Sequence, residues 1–350
     1  MSATVDAAPS AHAAPPLPAP RGPVSSAVLA ALRAGAVRAG AVRAGACPDI
    51  GPAISVADPY RDDIQLALYC LYELHYRGFA EVAEELEWEP ALLAVRRELE
   101  RSFLAALRRD VPPGTDVQAE IAELLTEPAD VDGRGVSHHL MRDGTLWQLR
   151  EYLALRSLYH LKEADPQAWV IPRLHGAAKA ALVTVEHDEY GAGDPERMHA
   201  ELFARMLRAL DVDDTYGAHL DAAPAEALAD VNFMSMCGLH RQLRGALIGQ
   251  FVTVELTSSP GSDRLVRAMR RLGLGPDAID FYAEHVEADA VHEQVVRRGV
   301  LAPLLAVEPE LAADVVFGIR ASVLLAEHLE SRLLRRWSTG QTSLRRQLPG

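Results

Sequence analysis

The sequence predicts an all-α fold, and three observations support this prediction. From Asp58 onward, apolar residues recur at helical spacing almost without interruption. Proline and glycine fall mainly between these segments, where they cap or stop helices. No stretch shows the alternation of apolar and polar residues that is typical of a β-strand. The expected architecture is therefore a bundle of helices.

The helices are predicted in chain order from their end signals. Asp58 caps a first segment whose apolar side includes Ile64, Leu68 and Leu71, and Gly78 ends it. A second helix covers residues 89–110 and stops at a Pro-Pro-Gly sequence. The remaining helices are predicted at about 117–126, 144–163, 172–190, 195–210, 224–258, 263–273, 276–300 and 308–336.

The N-terminal residues differ in composition from the rest of the chain. They are rich in Ala, Pro and Gly, and an Arg-Ala-Gly-Ala unit starts at Arg33, Arg38 and Arg43. Such a segment buries too little apolar surface to offset the entropy of ordering, so we predict disorder; a transit peptide is the alternative. A Gly/Asp-rich loop at 128–136 is the best internal boundary. The predicted division is a disordered tail at 1–55, an N-terminal helical extension at 56–137, a metal-binding bundle at 138–337 and a flexible C-terminal tail at 338–350.

Composition excludes several classes of function. The net charge of -14 and the pI of about 5.4 argue against a nucleic-acid-binding protein, which normally has a basic face. No apolar run is long enough for a membrane span, and no signal peptide opens the chain, so we expect a cytoplasmic protein. Cys47, Cys70 and Cys237 are widely separated and form neither a disulfide framework nor a Cys-x-x-Cys metal site.

A metal-ligand pattern occurs near the end of the predicted bundle. His285, Asp289 and His292 stand at i, i+4 and i+7, which places them within roughly 60° of one another on a helix. Two imidazoles and one carboxylate on one stripe suit a first-row transition metal, iron above all. The alternative is a polar helix face whose histidines are merely solvated.

A second group of candidate ligands lies about ninety residues upstream. Glu196 and His199 stand at i and i+3, the spacing of the Glu-x-x-His elements of di-iron bundles. Glu189 comes seven residues before Glu196. Two glycines and an Asp-Pro pair predict that one helix ends at Glu189 and that His199 lies in the second turn of the next. Glu186, one turn before Glu189, is an alternative ligand to Glu196.

Glu255 is a third candidate, because it lies in a mostly apolar run of a predicted helix. A carboxylate is costly to bury there unless it meets a cation, a donor or a metal. It could supply the bridging carboxylate of a two-metal site. A glutamate near a helix end that simply reaches solvent is the alternative.

These residues together give the sequence a family resemblance. The order Glu189, Glu196, His199, Glu255, then His285-x3-Asp289-x2-His292, resembles the haem-oxygenase-like di-iron oxidase and oxygenase superfamily. Residues 161–166, 188–191 and 281–292, reading LKEADP, DEYG and FYAEHVEADAVH, resemble its actinobacterial branch, the iron-containing redox enzymes. The resemblance covers about 60–337. It implies a haem-oxygenase-like helical bundle preceded by a helical extension.

The resemblance also implies a ligand set and a cofactor. It implies two ferrous ions, with O2 as co-substrate, and no separate cofactor-binding residues. The residues carried over as metal ligands are Glu189, Glu196, His199, Glu255, His285, Asp289 and His292, with Glu255 as a bridging or second-iron ligand and Glu196 present only in some members.

The expected function is an oxidase, desaturase or oxygenase that acts on a small metabolite. An external electron donor and a second copy of the chain are further candidate partners, whereas nucleic acid and membranes are not expected. Two alternatives stay open. One is a haem-oxygenase-like or thiaminase-like enzyme on the same fold, in the latter case with Cys237 as nucleophile. The other is a non-enzymatic helical protein that binds iron.

Overall fold

The computed structural model of the protein describes residues 14–36, 51–126 and 135–348. Within these ranges every regular element is a helix, so the predicted all-α fold is confirmed. A π-helical segment, Val295–Leu301, connects the helix that ends at Gln294 to the helix that begins at Ala302. The α-helices in chain order are α1 Pro23–Ala36, α2 Gly51–Val56, α3 Asp62–Glu73, α4 Pro90–Asp110, α5 Val117–Leu125, α6 Val136–Arg142, α7 Leu146–His160, α8 Asp165–Ala168, α9 Gly176–Glu189, α10 His199–Ala209, α11 Ala225–Leu239, α12 Arg244–Arg271, α13 Pro276–Gln294, α14 Ala302–Val307 and α15 Ala312–Trp337.

Local signals explain where the site-bearing helices begin. Thr145 and Gln148 form a reciprocal capping box at the start of α7. A proline at the first position opens α13 after Gly275. The predicted break after Glu189 is confirmed, since α9 ends there. Asp194 caps only a 3-10 turn, however, and α10 starts at His199 itself rather than one turn earlier.

The predicted helix at 224–258 is wrong in its boundaries. The chain breaks after α11, and a 3-10 turn at Arg241–Leu243 leads into α12. α12 then continues through Pro260 and Gly261 to Arg271, although one helix was predicted to end at 258 and the next to begin at 263. Packing on both sides compensates for the lost backbone hydrogen bond, because α12 lies against α13, α15 and α6.

α12 and α15 form the centre of the molecule and approach each other closely. A Cβ atom at Gly249 would collide with the carbonyl oxygen of Val315, and a Cβ at Gly318 would collide with that of Ala246. Glycine is required at both positions because the two backbones are in contact there. α13 packs on the other side of α12 and α10 packs on α13, while α11 bridges α15 and α3. This arrangement surrounds the middle of α12 with helices.

Part of the N-terminal tail needs a correction. Residues 14–36 were expected to be disordered, yet α1 packs against α3 and buries Val24, Val28, Leu29 and Leu32 almost completely. The apolar face arises from helical spacing in a stretch whose Ala, Pro and Gly content predicted disorder. Helix α2 also begins inside the predicted tail. Residues 1–13 and 37–50, including most of the Arg-Ala-Gly repeats, lie outside the described part of the chain.

The C-terminal residues also pack, in contrast to the expected flexible tail. The Ser343 hydroxyl donates to Oε2 of Glu151 over 2.7 Å, and Leu344 is buried. The backbone N–H of Arg345 donates to the carbonyl oxygen of Ala222 over 2.8 Å. Ser343 and Leu344 therefore belong to the packed interior, and the exposed residues that follow stay attached to the helices.

A single hydrophobic core runs through the predicted extension and the predicted bundle. Leu66 and Leu99 of the extension belong to the same buried cluster as Leu247 and Leu325 of the bundle. The boundary expected at 128–136 falls mainly on residues outside the described ranges. None of the described helices is both long enough and apolar enough to cross a bilayer.

Candidate metal centre

Carboxylates and imidazoles from five segments meet in one buried region between the helices. The turn after α7, the last residue of α9, the first residue of α10, α12 and α13 each contribute at least one side chain. Each of these side chains belongs to a residue at most 8% exposed. The residues brought together are Glu163, Glu189, His199, Glu255, His285 and His292.

Four of these residues form a first cluster. One ligand atom from each of Glu163, Glu189, His199 and His285 lies within 4.8 Å of the other three. Oε2 of Glu189 is 2.6 Å from Nδ1 of His199, yet this nitrogen is in hydrogen-bond geometry with no atom of the described chain. Oε2 of Glu163 is likewise buried without a hydrogen-bond donor in the described ranges. Buried polar atoms of this kind fit ligands that share a cation.

A second cluster adjoins the first through Glu189. Ligand atoms of Glu189, Glu255 and His292 also lie within 4.8 Å of one another. Nδ1 of His292 is 3.5 Å from Oε1 of Glu189 and 3.4 Å from Oε2 of Glu255. One oxygen of Glu189 thus faces the first cluster and the other faces the second. Glu189 occupies the shared position, whereas Glu255, expected as a bridging or second-iron ligand, lies in the second cluster.

Two of the imidazoles are oriented by a contact to the ring nitrogen that faces away from the clusters. Nδ1 of His285 donates to the carbonyl oxygen of Phe281 over 2.8 Å, so its Nε2 lone pair faces Glu163, 3.9 Å away. Nε2 of His292 lies 3.3 Å from Oδ2 of Asp188, which leaves Nδ1 for the second cluster. This carboxylate-to-histidine contact is common beside metal ligands.

Glu163 is held by a chain of hydrogen bonds from α7. Nδ1 of His160 donates to Oε1 of Glu163 over 2.7 Å, while Nε of Arg156 donates to Nε2 of His160 over 3.3 Å. Burial lowers the pKa of His160 to about 4, so this imidazole is neutral at pH 7 and its tautomer is set by Arg156. Burial raises the pKa of Glu163, but the imidazoles of His160, His285 and His199 outweigh it, and the pKa lies below its usual range. Glu163 is therefore ionised and aimed at the cluster.

Glu186 is a further buried carboxyl group beside the two clusters. Neither of its oxygens has a hydrogen-bond donor among the described residues. Burial, together with the charges of Glu189 and Glu255, raises its pKa to about 9. Without a cation nearby the group is protonated at neutral pH, and a bound metal ion would reverse that preference.

The structure therefore assembles most of the predicted ligands, with two exceptions. Glu196 is exposed in a 3-10 turn and belongs to neither cluster, whereas its alternative Glu186 is buried at the site. The side chain of Asp289 lies outside what the structure describes, so that prediction stays a prediction. Glu163 was missed as a ligand. The signal for it was His160-x-x-Glu163, an i, i+3 pair whose glutamate lies inside the family-like segment 161–166.

A cavity of about 320 Å³ opens beside the clusters. The candidate ligands Glu163, Glu189, Glu255 and His285 form part of its wall, and Arg156 and Asp230 form another part. Apolar lining comes from Met234, Phe251, Val254, Leu265, Leu329 and Leu333. A space of this size accommodates a small metabolite.

Fold and site together define an all-α protein whose buried carboxylates and imidazoles lie close enough together that they could hold a metal ion. The donor set is nitrogen and oxygen, as non-haem iron prefers, and the two clusters listed above contain no thiolate. The sequence profile of the iron-containing redox enzyme family matches residues 150–327, about half of the chain. The chain belongs to this family of iron-containing redox enzymes. No curated protein matches it.

The matched range coincides with the site. It begins inside α7 and ends inside α15, so it includes every residue of the two clusters and Glu186. Helices α1 to α6 lie outside the match. Iron is accordingly the metal that the family implies, and the membership indicates an oxidoreductase.

Proposed function

We propose that the chain is a non-haem di-iron oxidoreductase that uses O2 to oxidise a small metabolite. One observation carries the proposal: Glu189 directs one oxygen to a Glu163–His199–His285 cluster and the other to a Glu255–His292 cluster. A carboxylate that joins two ligand groups is the arrangement of a two-metal site. We also propose that the chain belongs to the actinobacterial branch of the family, which it resembles in sequence.

The side chains around the site have definable tasks in this proposal. Bound ferrous iron supplies the electrons for the reaction with oxygen. His285 and His292 present single nitrogens because Phe281 and Asp188 hold the opposite ones. Phe281 is fully buried, and its ring centroid lies 4.3 Å from that of His285, so the wall beside this ligand excludes water.

The alternatives on the same fold are less well supported. A haem-binding site would not require a cluster of facing carboxylates around the histidines. Cys237 is fully buried and is not among the residues that line the cavity, and burial raises the pKa of its thiol. These are the opposite of the conditions that activate a cysteine nucleophile.

The test is iron loading followed by exposure to oxygen. Ferrous iron is added anaerobically, excess is removed by gel filtration, and iron per chain and oxygen uptake are measured with and without a panel of metabolites. We expect close to two ions per chain and oxygen uptake that scales with bound iron. Glu255→Ala is expected to lower the iron content and abolish the uptake, whereas the exposed Glu196→Ala is expected to change neither.

Two results would contradict the proposal. Iron binding near one ion per chain would remove the two-metal site. Two bound ions without oxygen uptake under any condition would leave an iron-binding protein that is not an oxidase.

A further inference from the structure

We infer that the cavity binds a molecule carrying a carboxylate and an ammonium group on neighbouring atoms, that is, an α-amino acid, recognised by Arg156 and Asp230. The inference rests on the proposed function, because it names the substrate class of the same site. It starts from two charged side chains on the cavity wall that have too few partners.

Arg156 has more donors than its protein contacts use. A guanidinium carries five N–H groups. Nε donates to His160 over 3.3 Å, and NH1 lies 3.5 Å from Oδ2 of Asp230 without forming a hydrogen bond. No other acceptor contacts its remaining N–H groups in the described part of the chain. The side chain lines the cavity, so the donors that remain are available to a ligand.

Asp230 is a negatively charged side chain on the cavity wall that also has few partners. It lies on α11, lines the cavity and is 9% exposed. The described residues place no hydrogen-bond donor on its carboxylate, and Arg156 at 3.5 Å is its ion-pair partner. Burial raises the pKa of Asp230, and the charge of Arg156 acts in the opposite direction.

Charge balance selects the ligand. A carboxylate alone would draw the guanidinium away from Asp230 and leave a buried negative charge uncompensated. An amine alone would pair with Asp230 and leave the positive charge of Arg156 uncompensated. A ligand with both groups gives the guanidinium a bidentate carboxylate acceptor and gives Asp230 an ammonium donor. Each buried charge then gains hydrogen bonds and an oppositely charged partner.

The anchor is also correctly placed relative to the metal centre. One imidazole ring separates Arg156 from Glu163, with contacts of 3.3 Å and 2.7 Å on its two sides. A molecule held at Arg156 therefore has its side chain within a few bonds of the clusters. Met234, Leu265 and Leu329 supply an apolar wall for that side chain. Two other arginines, Arg241 and Arg244, are not among the lining residues, and Arg244 pairs with Glu308.

The experiment compares matched ligands that differ in one charged group. Binding is measured by calorimetry and thermal shift on the full-length protein, both free of iron and loaded with ferrous iron under anaerobic conditions. The two sets are norleucine with hexanoate and pentylamine, and phenylalanine with 3-phenylpropanoate and 2-phenylethylamine. We expect at least one amino acid to bind about ten-fold or more tightly than both of its partners, because each partner leaves a buried charge unmatched.

Asp230→Asn is the decisive variant, since it keeps the shape of the side chain and contacts no candidate metal ligand. It should reduce the preference of the amino acid over its carboxylate analogue by about ten-fold or more. Arg156→Gln should weaken both, but this change also disturbs His160. Arg267→Gln, an exposed arginine on α12 that pairs with Asp263, is the matched control and should leave binding unchanged.

Three results would overturn the inference: no probe binds, an analogue binds as tightly as its amino acid, or Asp230→Asn leaves the ratio intact. Iron content and oxygen uptake of the same samples report on the proposed function separately. Amino-acid binding without oxygen uptake would keep the binding site and remove the redox chemistry. Oxygen uptake without amino-acid selectivity would do the reverse.

Discussion

The Nζ atom of Lys162 lies 2.9 Å from Oε2 of Glu73, and both side chains are almost completely buried. Glu73 ends α3, in the N-terminal extension, whereas Lys162 immediately precedes the candidate ligand Glu163. The Tyr216 hydroxyl donates to the other oxygen of Glu73 over 2.7 Å, and Nζ of Lys162 lies 3.9 Å from the ring centroid of Tyr76. The extension is thus joined to the metal centre by a fully enclosed ion pair.

Breaking this pair should affect both stability and the site. Glu73→Gln leaves the ammonium of Lys162 buried without a carboxylate, a change that costs about 3–5 kcal/mol. We also expect less bound iron, because Lys162 fixes the turn that carries Glu163. The measurement is urea unfolding together with iron content. As a control, Asp263→Asn removes an exposed pair with Arg267 and should cost less than about 1 kcal/mol. Equal effects of the two variants would contradict the expectation.

Glu189 and Glu196 form a matched pair for testing the ligand assignment. Glu189 is shared by both clusters and Glu196 is exposed in the following turn. We expect Glu189→Gln to lower iron binding well below the wild-type content, because both clusters lose a ligand, while Glu196→Gln keeps it. Iron is counted after anaerobic loading. Normal loading of Glu189→Gln would show that the shared carboxylate is not a ligand.

The ordered part of the N-terminal segment should be required for full stability. Leu29 is fully buried between α1 and α3, so Leu29→Ala should lower the free energy of unfolding by about 2–5 kcal/mol. Arg33→Ala, at an exposed position of the same helix, should have little effect. Denaturant unfolding measures both. A chain that starts at Ile54 should likewise be less stable than the full chain, and unchanged stability would argue that α1 does not pack as described.

The buried carboxyl of Glu186 should make the iron-free protein lose stability at alkaline pH. Its folded-state pKa of about 9 exceeds the usual value of 4.5, so the folded chain binds the proton more strongly. The stabilisation is complete below about 4.5 and is lost as the pH rises towards 9. Glu186→Gln should remove this part of the pH dependence, so the variant gains stability relative to wild type across that window. Glu287→Gln, at an exposed position of α13, is the control. Parallel stability curves for wild type and Glu186→Gln would refute the assignment.

The thiols of Cys70 and Cys237 should not react in the folded protein. Both are fully buried, and burial raises the pKa of each, so almost no thiolate forms at neutral pH. Because Cys47 lies outside the described ranges, the test uses Cys47→Ser. A thiol-specific chromogenic reagent should label no cysteine before unfolding and two afterwards. Rapid labelling of Cys237 in the native protein would support the alternative in which Cys237 is a nucleophile.

Part of the candidate site was predictable from the sequence, because helical spacing is a local property. The i, i+7 relation of His285 and His292 requires only that residues 285–292 form a helix, and α13 does. The break after Glu189 followed from the glycines and the Asp-Pro pair. Burial of Glu255 followed from its apolar surroundings. All three predictions depend on neighbours within a few turns.

Other features depended on contacts between distant segments. Glu163 stood at the end of a predicted helix with no assigned role, and only the fold places it beside His285. Glu196 was a predicted ligand, but the turn that carries it leaves it exposed. The packing of α1 could not be predicted from composition, because its valine and leucine side chains become part of the core only when α3 covers them. The sequence by itself determined an all-α chain with imidazoles and carboxylates at metal-binding spacing. Only the tertiary structure decided that Glu189 is shared between two clusters and that Arg156 and Asp230 face the same cavity, because these relations join helices far apart in the chain.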